Sequence, residues 1–282
     1  MGPALRVRPL RARERAAALR YLEGKARLNL VLIDLVLRIG GPARRGEPRP
    51  EVLAAWRGDQ LAGLVGLQPS VVLDAAAGSD VLEAFFPYLE GVHSGLVKST
   101  EEVVAPLWQW LAAHGRRALL DRIEVACVLE PGWERLTPPP AGVKVRAAGP
   151  GDLDFLVRAA RASLLEEGRP DPFEGDRLRF RRWVRGRVGR ALVADLAGSP
   201  GFVAYADVQC PRGWLLQGVY TLPGLRRRGL ARAGVSELCR RAFAAGAEHV
   251  QLAVVEGNHA ALQLYEGLGF RHMARLRTLL FV

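Results

Sequence analysis

The stretch of the chain that decides its fold covers residues 218–231 and reads Gly218-Val219-Tyr220-Thr221-Leu222-Pro223-Gly224-Leu225-Arg226-Arg227-Arg228-Gly229-Leu230-Ala231. An apolar, strand-like segment leads into it, and apolar residues at helical spacing follow it. A basic, glycine-bearing turn between a strand and a helix predicts a phosphate cradle, because the helix N-terminus points N–H groups at an anion and carries about half a positive charge. The patterns of a Walker loop and of a dinucleotide fingerprint are missing. Taken alone, the stretch also fits an ordinary strand-to-helix turn with solvated arginines.

A second stretch downstream has the same strand–helix context. Residues 250–255 are apolar and predict a buried strand. The residues that follow this strand read Asn258-His259-Ala260-Ala261-Leu262-Gln263-Leu264-Tyr265-Glu266-Gly267-Leu268-Gly269-Phe270. An amphipathic helix with a Gly-Phe entry into a last strand would explain most of this pattern. Such a helix does not, however, require an asparagine and a tyrosine at this spacing.

Together the two stretches resemble the GNAT superfamily of N-acetyltransferases. The first fits the Arg/Gln-x-x-Gly-x-Gly/Ala pattern of the loop that binds the pyrophosphate of acetyl-CoA, as Arg226-x-x-Gly229-x-Ala231. The second fits Asn-x-x-Ala-x-x-Leu-Tyr-x-x-x-Gly-Phe at every fixed position. These motifs cover residues 214–270, and the fold-level resemblance extends over about residues 143–282. It implies an α/β (α+β) fold of mixed type, in which a central twisted β-sheet is flanked by helices.

The chain also predicts two domains. The proline-rich break at residues 137–142 separates residues 1–137 from residues 143–282, because three consecutive prolines continue neither a helix nor a central strand. Tyr88–Ser94 aligns with Leu215–Thr221, which predicts a tandem duplication. In the first copy, residues 95–102 lack the cofactor pattern and carry two acids. The first half therefore resembles the degenerate GNAT-like domain of some bacterial two-domain GNAT proteins.

The resemblance implies roles for individual residues. GNAT enzymes transfer acetyl directly from acetyl-CoA to an amine, and Tyr265 would act as the general acid that protonates the departing thiolate. Val219 and Thr221 would offer backbone groups to the pantetheine arm, and Asn258 would hydrogen-bond it. The full predicted cofactor-binding set is Val219, Tyr220, Thr221, Arg226, Arg227, Arg228, Gly229, Leu230, Ala231, Arg232 and Asn258.

The general base is less clear from the sequence. Many family members carry a glutamate on the strand before the loop, whereas this chain has Gln217 there, and an amide cannot accept a proton. The substitutes are Glu166 and Glu167, or Asp207 acting through water, although two adjacent glutamates are also typical of a solvated helix end. A weak base would suit an α-amine, because about a tenth of it is neutral at pH 7, against roughly one part in 10³–10⁴ of a lysine amine.

The composition of the chain bears on its charge, its cellular compartment and its use of metal ions. The net charge is +11 and comes almost entirely from arginine, which suggests a GC-rich, bacterial genome and a field that attracts CoA phosphates or nucleic acid. Three cysteines without a paired motif, and histidines without metal spacing, predict a cytoplasmic protein that binds no metal. No apolar run approaches the ~20 residues of a membrane span, and the first residues lack the pattern of a secretion signal.

Three functions fit these observations to different degrees. The first is an acetyl-CoA-dependent N-acetyltransferase that acts on a primary amine of a small molecule, peptide or protein. The second is a non-catalytic acyl-CoA-binding or regulatory protein, which Gln217 favours. The third is a nucleic-acid-binding protein, which only the net charge favours, since a recognition helix and a basic low-complexity tail are missing. The acceptor amine and the oligomeric state stay open at this point.

Overall fold

The computed structural model describes residues 4–92 and 95–282 and divides into two compact units. Unit 1 consists of the residues up to Arg44, Pro48–Val125 and Ala274–Val282. Unit 2 consists of Arg45–Glu47 and Ala126–Met273. This division differs from the predicted one, because the prolines at 138–140 lie inside unit 2 and the last nine residues of the chain belong to unit 1.

Unit 1 is built from residues of both ends of the chain. Its elements, in chain order, are β1 (Leu5–Pro9), α1 (Arg15–Leu22), α2 (Leu30–Arg38), β2 (Glu51–Arg57), β3 (Gln60–Gln68), β4 (Val71–Leu73), α3 (Ser79–Leu89), β5 (Gly95–Thr100), α4 (Glu101–Ala113) and most of β6 (Ala118–Leu129). Its sheet order is β1-β2-β3-β4-β5-β12-β6, where β12 is the last strand of the chain (Arg271–Phe281). The core of this unit includes Phe85, Leu107 and the C-terminal Phe281.

Unit 2 carries the two quoted motifs. Its elements after β6 are β7 (Val143–Ala147), α5 (Leu153–Glu166), α6 (Arg177–Arg187), β8 (Ala191–Leu196), β9 (Ser199–Cys210), β10 (Gly213–Thr221), α7 (Leu230–Ala244), β11 (Val250–Val255), α8 (His259–Glu266) and the start of β12. Its sheet order is β6-β11-β10-β9-β8-β7. Phe180 of α6 and Leu156 of α5 are fully buried and pack with Val203 of β9, so the two helices that follow β7 cover one face of this sheet.

The same series of elements occurs twice, which confirms the predicted mixed α/β fold and its tandem duplication. Each half reads β-α-α-β-β-β-α-β-α-β. In each unit three successive antiparallel strand pairs are followed by one parallel pair, β4–β5 in unit 1 and β10–β11 in unit 2. The element order therefore makes β4 the counterpart of β10, and α3 the counterpart of α7.

The predicted alignment of the two copies is wrong in register. Tyr88 and Leu89 are the last residues of helix α3, whereas Leu215–Thr221 lies in strand β10. The last two residues of the predicted match, His93 and Ser94, lie outside the described residues. The loop expected at residues 95–102 is strand β5 and the first turn of α4. A seven-residue apolar match is too short to separate the end of a buried helix from a buried strand. The counterpart of the cofactor loop in unit 1 is residues 74–78, between β4 and α3.

The proline-rich segment has a different role from a free linker. The Thr137 N–H donates to Ser236 Oγ at 3.2 Å, and Arg240 Nη2 donates to the Thr137 carbonyl at 2.6 Å. Both partners lie on α7. Residues 137–142 are therefore fixed to unit 2 by hydrogen bonds that their proline content does not predict.

Candidate functional site

The parallel strands β10 and β11 separate after a short paired stretch. They pair only at Trp214 with Val250 and at Leu215 with Gln251, although β10 continues to Thr221 and β11 to Val255. On its other edge β10 stays paired with β9 as far as Thr221. The backbone of β10 beyond Leu215 therefore has one edge without a ladder partner in the described structure, and Val219, Tyr220 and Thr221 all lie in this part.

A bulge marks the place where β10 turns away. The register between β10 and β9 shifts between Gln217 and Tyr220, and Gly218 has φ +56°. A Cβ at Gly218 would lie 2.7 Å from Cδ2 of Tyr205, so this position requires glycine for its backbone conformation and for the space. The sequence did not predict this bulge.

The turn between β10 and α7 forms the cradle that the sequence predicts. Gly229 is the N-cap of α7 with φ +82°, and Arg227 has φ +63°. None of the six backbone N–H groups from Arg227 to Arg232 donates to an acceptor in the described residues, whereas the next N–H, that of Ala233, donates to the Gly229 carbonyl at 2.9 Å. Six consecutive free donors at the start of a helix fit the oxygens of a diphosphate.

The four arginines of the cradle are not equivalent. Arg227 and Arg228 are exposed and make no ion pair within the described chain. Arg232 Nη1 donates to the Gly267 carbonyl at 3.2 Å and so connects α7 to the end of α8. Arg226 points back towards the strand, where Nη2 lies 2.6 Å from Oε2 of Glu166. Of the four, Arg226 is the one whose charge is paired with a carboxylate, and Arg227 and Arg228 are the two whose side chains make no such contact and are exposed.

Tyr265 lies on α8 and is buried, with 6% of its surface exposed. Its ring packs edge-on against Phe270 at 5.7 Å between centroids. Burial raises the pKa of the Tyr265 hydroxyl, and the nearby Cys127, Cys239 and Glu167 raise it further. The hydroxyl has no hydrogen-bond partner in the described residues, so it keeps its proton at neutral pH and is free to donate it.

Asn258 has a structural role that the sequence did not predict. It is the N-cap of α8, and its Oδ1 accepts a hydrogen bond from the Ala261 N–H at 3.1 Å. This cap alone explains an asparagine at the position. Because Asn258 is exposed and its side-chain amide has no acceptor in the described structure, its contact with pantetheine stays a prediction.

The structure brings Glu166 and Glu167 to the site by different contacts. Glu166, the last residue of α5, accepts from Arg226 and, through Oε1, from the Tyr220 hydroxyl at 2.8 Å. Burial raises the pKa of Glu166, but the hydrogen bonds from Arg226 and Tyr220 outweigh it and bring this pKa below its usual value. Glu167 accepts from Ser163 Oγ at 3.2 Å and affects the pKa of Tyr265. The link between Glu166 and Arg226 joins residues 60 positions apart, and no sequence signal reports it.

Asp207, the third candidate base, is held by arginines. Its Oδ2 lies 3.0 Å from Arg187 Nη2 and its Oδ1 lies 3.6 Å from Arg190 Nη1. Two guanidinium groups therefore lie against this largely buried carboxylate. Asp207 is better explained as part of the packing between α6 and β9 than as a base.

In the counterpart loop of unit 1, side chains of the chain itself accept from two of the backbone N–H groups. Asp74 is fully buried, and its Oδ1 accepts from the Ala76 N–H at 2.8 Å and from Asn29 Nδ2 at 2.9 Å. Asn29 Oδ1 in turn accepts from the Ala75 N–H at 2.9 Å. The chain's own carboxylate and amide thus occupy two loop N–H groups, and Asp80 adds an acid in the first turn of α3, whereas the N–H groups at residues 227–232 are free and the first turn of α7 has no acid. Glu101 and Glu102, the two acids that the sequence placed in this loop, lie in α4 instead.

Two further properties of the described residues bear on the site. No group of three or more His, Cys, Asp and Glu side chains among them is arranged to hold a metal ion. No helix in the ranges 4–92 and 95–282 is long and apolar enough to cross a membrane.

The same series of elements occurs in both units, and in unit 2 the parallel pair β10–β11 separates before the turn that leads into α7. Residues 157–270 match the model of the acetyltransferase (GNAT) family, which confirms the predicted resemblance. No curated protein matches the chain.

Solved structures show the same architecture over nearly the whole chain. A Drosophila protein is 15% identical and covers 97% of this chain and 98% of its own, with a TM-score of 0.76. A tandem GNAT protein from the clavulanic acid biosynthesis pathway is 15% identical and covers 98% of both chains, with a TM-score of 0.58. A GCN5-related N-acetyltransferase from Sphaerobacter thermophilus is 17% identical and covers 98% of this chain and 94% of its own, with a TM-score of 0.57. At these identities the likeness shows the fold and not the activity.

Proposed function

We propose that this protein is an acetyl-CoA-dependent N-acetyltransferase that moves an acetyl group directly from CoA to a primary amine. The observation that carries the proposal is the row of free N–H groups from Arg227 to Arg232, next to the unpaired edge of β10. This row fits a diphosphate, and the strand edge fits an extended chain with amide groups, which is the chemistry of CoA's pantetheine arm. Arg227 and Arg228 would add charge for the phosphates.

Unit 2 holds the proposed cofactor site, and unit 1 does not. Asp74 and Asn29 accept from the Ala76 and Ala75 N–H groups of the corresponding loop, and Asp80 adds a carboxylate in the first turn of α3. An added diphosphate would have to displace a buried carboxylate that is fully hydrogen-bonded at Oδ1, which is costly. One CoA per chain is therefore the proposed stoichiometry.

The proposed reaction needs one proton to leave and one to arrive. The amine nitrogen bonds to the thioester carbonyl carbon, the carbon–sulfur bond breaks, and the amine proton passes to a base. Tyr265 would give its proton to the departing thiolate sulfur. A phenol whose pKa is raised by burial stays protonated until the thiolate forms, and general acids of this kind contribute about 10²–10⁴ in rate.

Glu166 and Glu167 are the proposed bases, since Gln217 cannot accept a proton. Glu166 is held at the open end of β10 by Tyr220, and Glu167 lies within electrostatic reach of Tyr265. The lowered pKa of Glu166 makes it a weak base, and such a base favours an acceptor amine that is already partly neutral, such as an α-amine. The arginine-rich composition and sparse cysteines support a bacterial, cytoplasmic setting.

A specific observation favours a second function, acyl-CoA binding without catalysis. Gln217 replaces the usual base, and Glu166 is engaged by both Arg226 and Tyr220. The experiment that separates the two combines calorimetry with acetyl-CoA and a panel of amines assayed for acetylated product. Transfer to at least one amine supports the enzyme; tight binding with no transfer supports the binding protein; no binding of acetyl-CoA contradicts both.

A further inference from the structure

Arg226 belongs to the cofactor motif, yet its guanidinium does not face the cradle. Nε donates to the Thr221 carbonyl at 3.1 Å, and Nη2 donates to Glu166 Oε2 at 2.6 Å. The guanidinium carbon lies 5.7 Å from the ring centroid of Tyr220. One side chain thus covers a backbone carbonyl at the open end of β10 and a carboxylate at the end of α5.

Both groups that Arg226 covers have a part in the proposed function. The Thr221 carbonyl lies on the strand edge proposed for the pantetheine arm, and Glu166 is a proposed base. As long as Arg226 keeps these two partners, it occupies one acceptor position of each group and holds its positive charge beside Glu166. The contact between Glu166 and Tyr220 does not depend on Arg226, because it uses the other carboxylate oxygen, Oε1.

We propose that Arg226 is a positioning residue for which Glu166 and the diphosphate of CoA compete, so that binding of CoA transfers Arg226 to the phosphates and releases Glu166 and the Thr221 carbonyl. The inference rests on the proposed function, because it takes the cradle at residues 226–232 as the CoA site. It adds an order of events, in which the cofactor must bind before Glu166 can serve an amine.

The energetics allow such an exchange. The side chains of Arg226 and Glu166 are each 44% exposed, so their ion pair is of the weak, solvent-screened kind. A diphosphate held by the N–H groups of residues 227–232 presents more negative charge to the same guanidinium, and arginine binds phosphate oxygens well. The move needs only side-chain rotation at the surface, because Arg226 contributes nothing to a buried core.

After the exchange, Glu166 would retain a single strong donor. The Tyr220 hydroxyl would keep the carboxylate beside the unpaired part of β10. Removal of the arginine takes away a contact that lowers the pKa of Glu166, so the released carboxylate becomes the better proton acceptor.

The test is calorimetry of CoA with the full chain and four variants. Competition predicts that Glu166→Gln binds CoA about two- to fivefold more tightly than the wild type, which is the range expected for loss of an exposed ion pair. Arg226→Ala should bind CoA more weakly, and adding Glu166→Gln to it should change nothing further. Glu174→Gln is the matched control, because Glu174 is an exposed acid between α5 and α6 that makes no ion pair in the described residues.

Each outcome decides the inference. An unchanged or weaker affinity in Glu166→Gln overturns it, as does equal tightening in Glu174→Gln or in the Arg226→Ala background, because either would show a general effect of charge. Wild-type chain that does not bind CoA overturns the proposed function, and the inference with it. Thermal melting of each variant checks that the surface changes leave the fold intact.

Discussion

Replacement of Gly229 tests the cradle most sharply. Of the variants Gly229→Ala and Gly229→Asp, the one that is more stable should bind CoA more weakly. Gly229 has φ +82°, and a Cβ would lie 3.0 Å from Cγ of Pro140. Gly229→Ala therefore costs about 1–2 kcal/mol of backbone strain, plus the displacement of Pro140. Gly229→Asp has the same Cβ, but aspartate tolerates this conformation better and its carboxylate favours the helix N-terminus by about 0.3–1 kcal/mol.

The same carboxylate should remove CoA affinity. It would accept from the free N–H groups of residues 231 and 232 at the start of α7, and would repel the diphosphate by about 1–4 kcal/mol at 4 Å for effective dielectric constants of about 80 to 20. We expect Gly229→Asp to unfold at a higher denaturant concentration than Gly229→Ala, yet to bind CoA at least tenfold more weakly than Gly229→Ala does. Urea unfolding and calorimetry measure the two quantities. Equal CoA affinity of the two variants would refute the reasoning.

Three further predictions concern the acid, the pH dependence and the shared strand. Tyr265→Phe should lower kcat by a factor of about 10²–10⁴, and its melting temperature should be nearly unchanged because the hydroxyl has no partner in the described residues. A kcat within a factor of two of the wild-type value contradicts the role of Tyr265 as general acid. Burial raises the pKa of Glu124, but Lys98 and Arg122 outweigh burial and bring this pKa from 4.5 to about 2, so the ionised carboxylate stabilises the fold above pH 4.5 and this stabilisation is lost as the pH falls towards 2. In urea unfolding, Glu124→Gln should therefore be less stable than the wild type at pH 7 and should lose less stability between pH 4.5 and pH 2; an equal loss in both proteins argues against this ion pair. Phe281→Ala should destabilise unit 1 by about 3–5 kcal/mol because Phe281 is buried, whereas Val282→Ala should change the stability little because Val282 is exposed. Equal losses of stability in urea unfolding would contradict the packing of β12 in unit 1.

The motif-bearing part of the fold follows from local signals. The strand, basic turn and helix at residues 214–244 were predictable because alternation, glycine and helical periodicity all agree there. The cradle itself was predictable for the same reason, since free N–H groups at a helix start are a property of the backbone.

What the sequence could not supply depends on contacts between distant residues. The pairing of β12 with β5 joins Leu276 to Thr100, and no local pattern reports that the last residues complete unit 1. The prolines at 138–140 interrupt local structure, yet hydrogen bonds from Thr137 to α7 fix this segment to unit 2. For this reason, halves cut at the prolines would each lack a strand, and every test is made on the full chain.

The contrast between the two copies also required the structure. The sequence gives Asp74 no special status, because a single acid after a short strand is typical of any loop. Its burial and its bond to the Ala76 N–H emerge only once Asn29 of α2's N-terminus is placed beside it. The sequence therefore assigned the missing cofactor loop of unit 1 to residues 95–102, whereas the corresponding loop lies at residues 74–78.

The number of acetyl-CoA molecules bound per full-length chain, measured by calorimetry, tests the central claim most directly. The free donors at residues 227–232, against the occupied N–H groups of Ala75 and Ala76 and the acid in the first turn of α3, predict one molecule per chain, with binding weakened at least tenfold in the Arg227→Ala, Arg228→Ala double variant. Two molecules per chain, or one whose affinity is unchanged in that variant, would contradict the account.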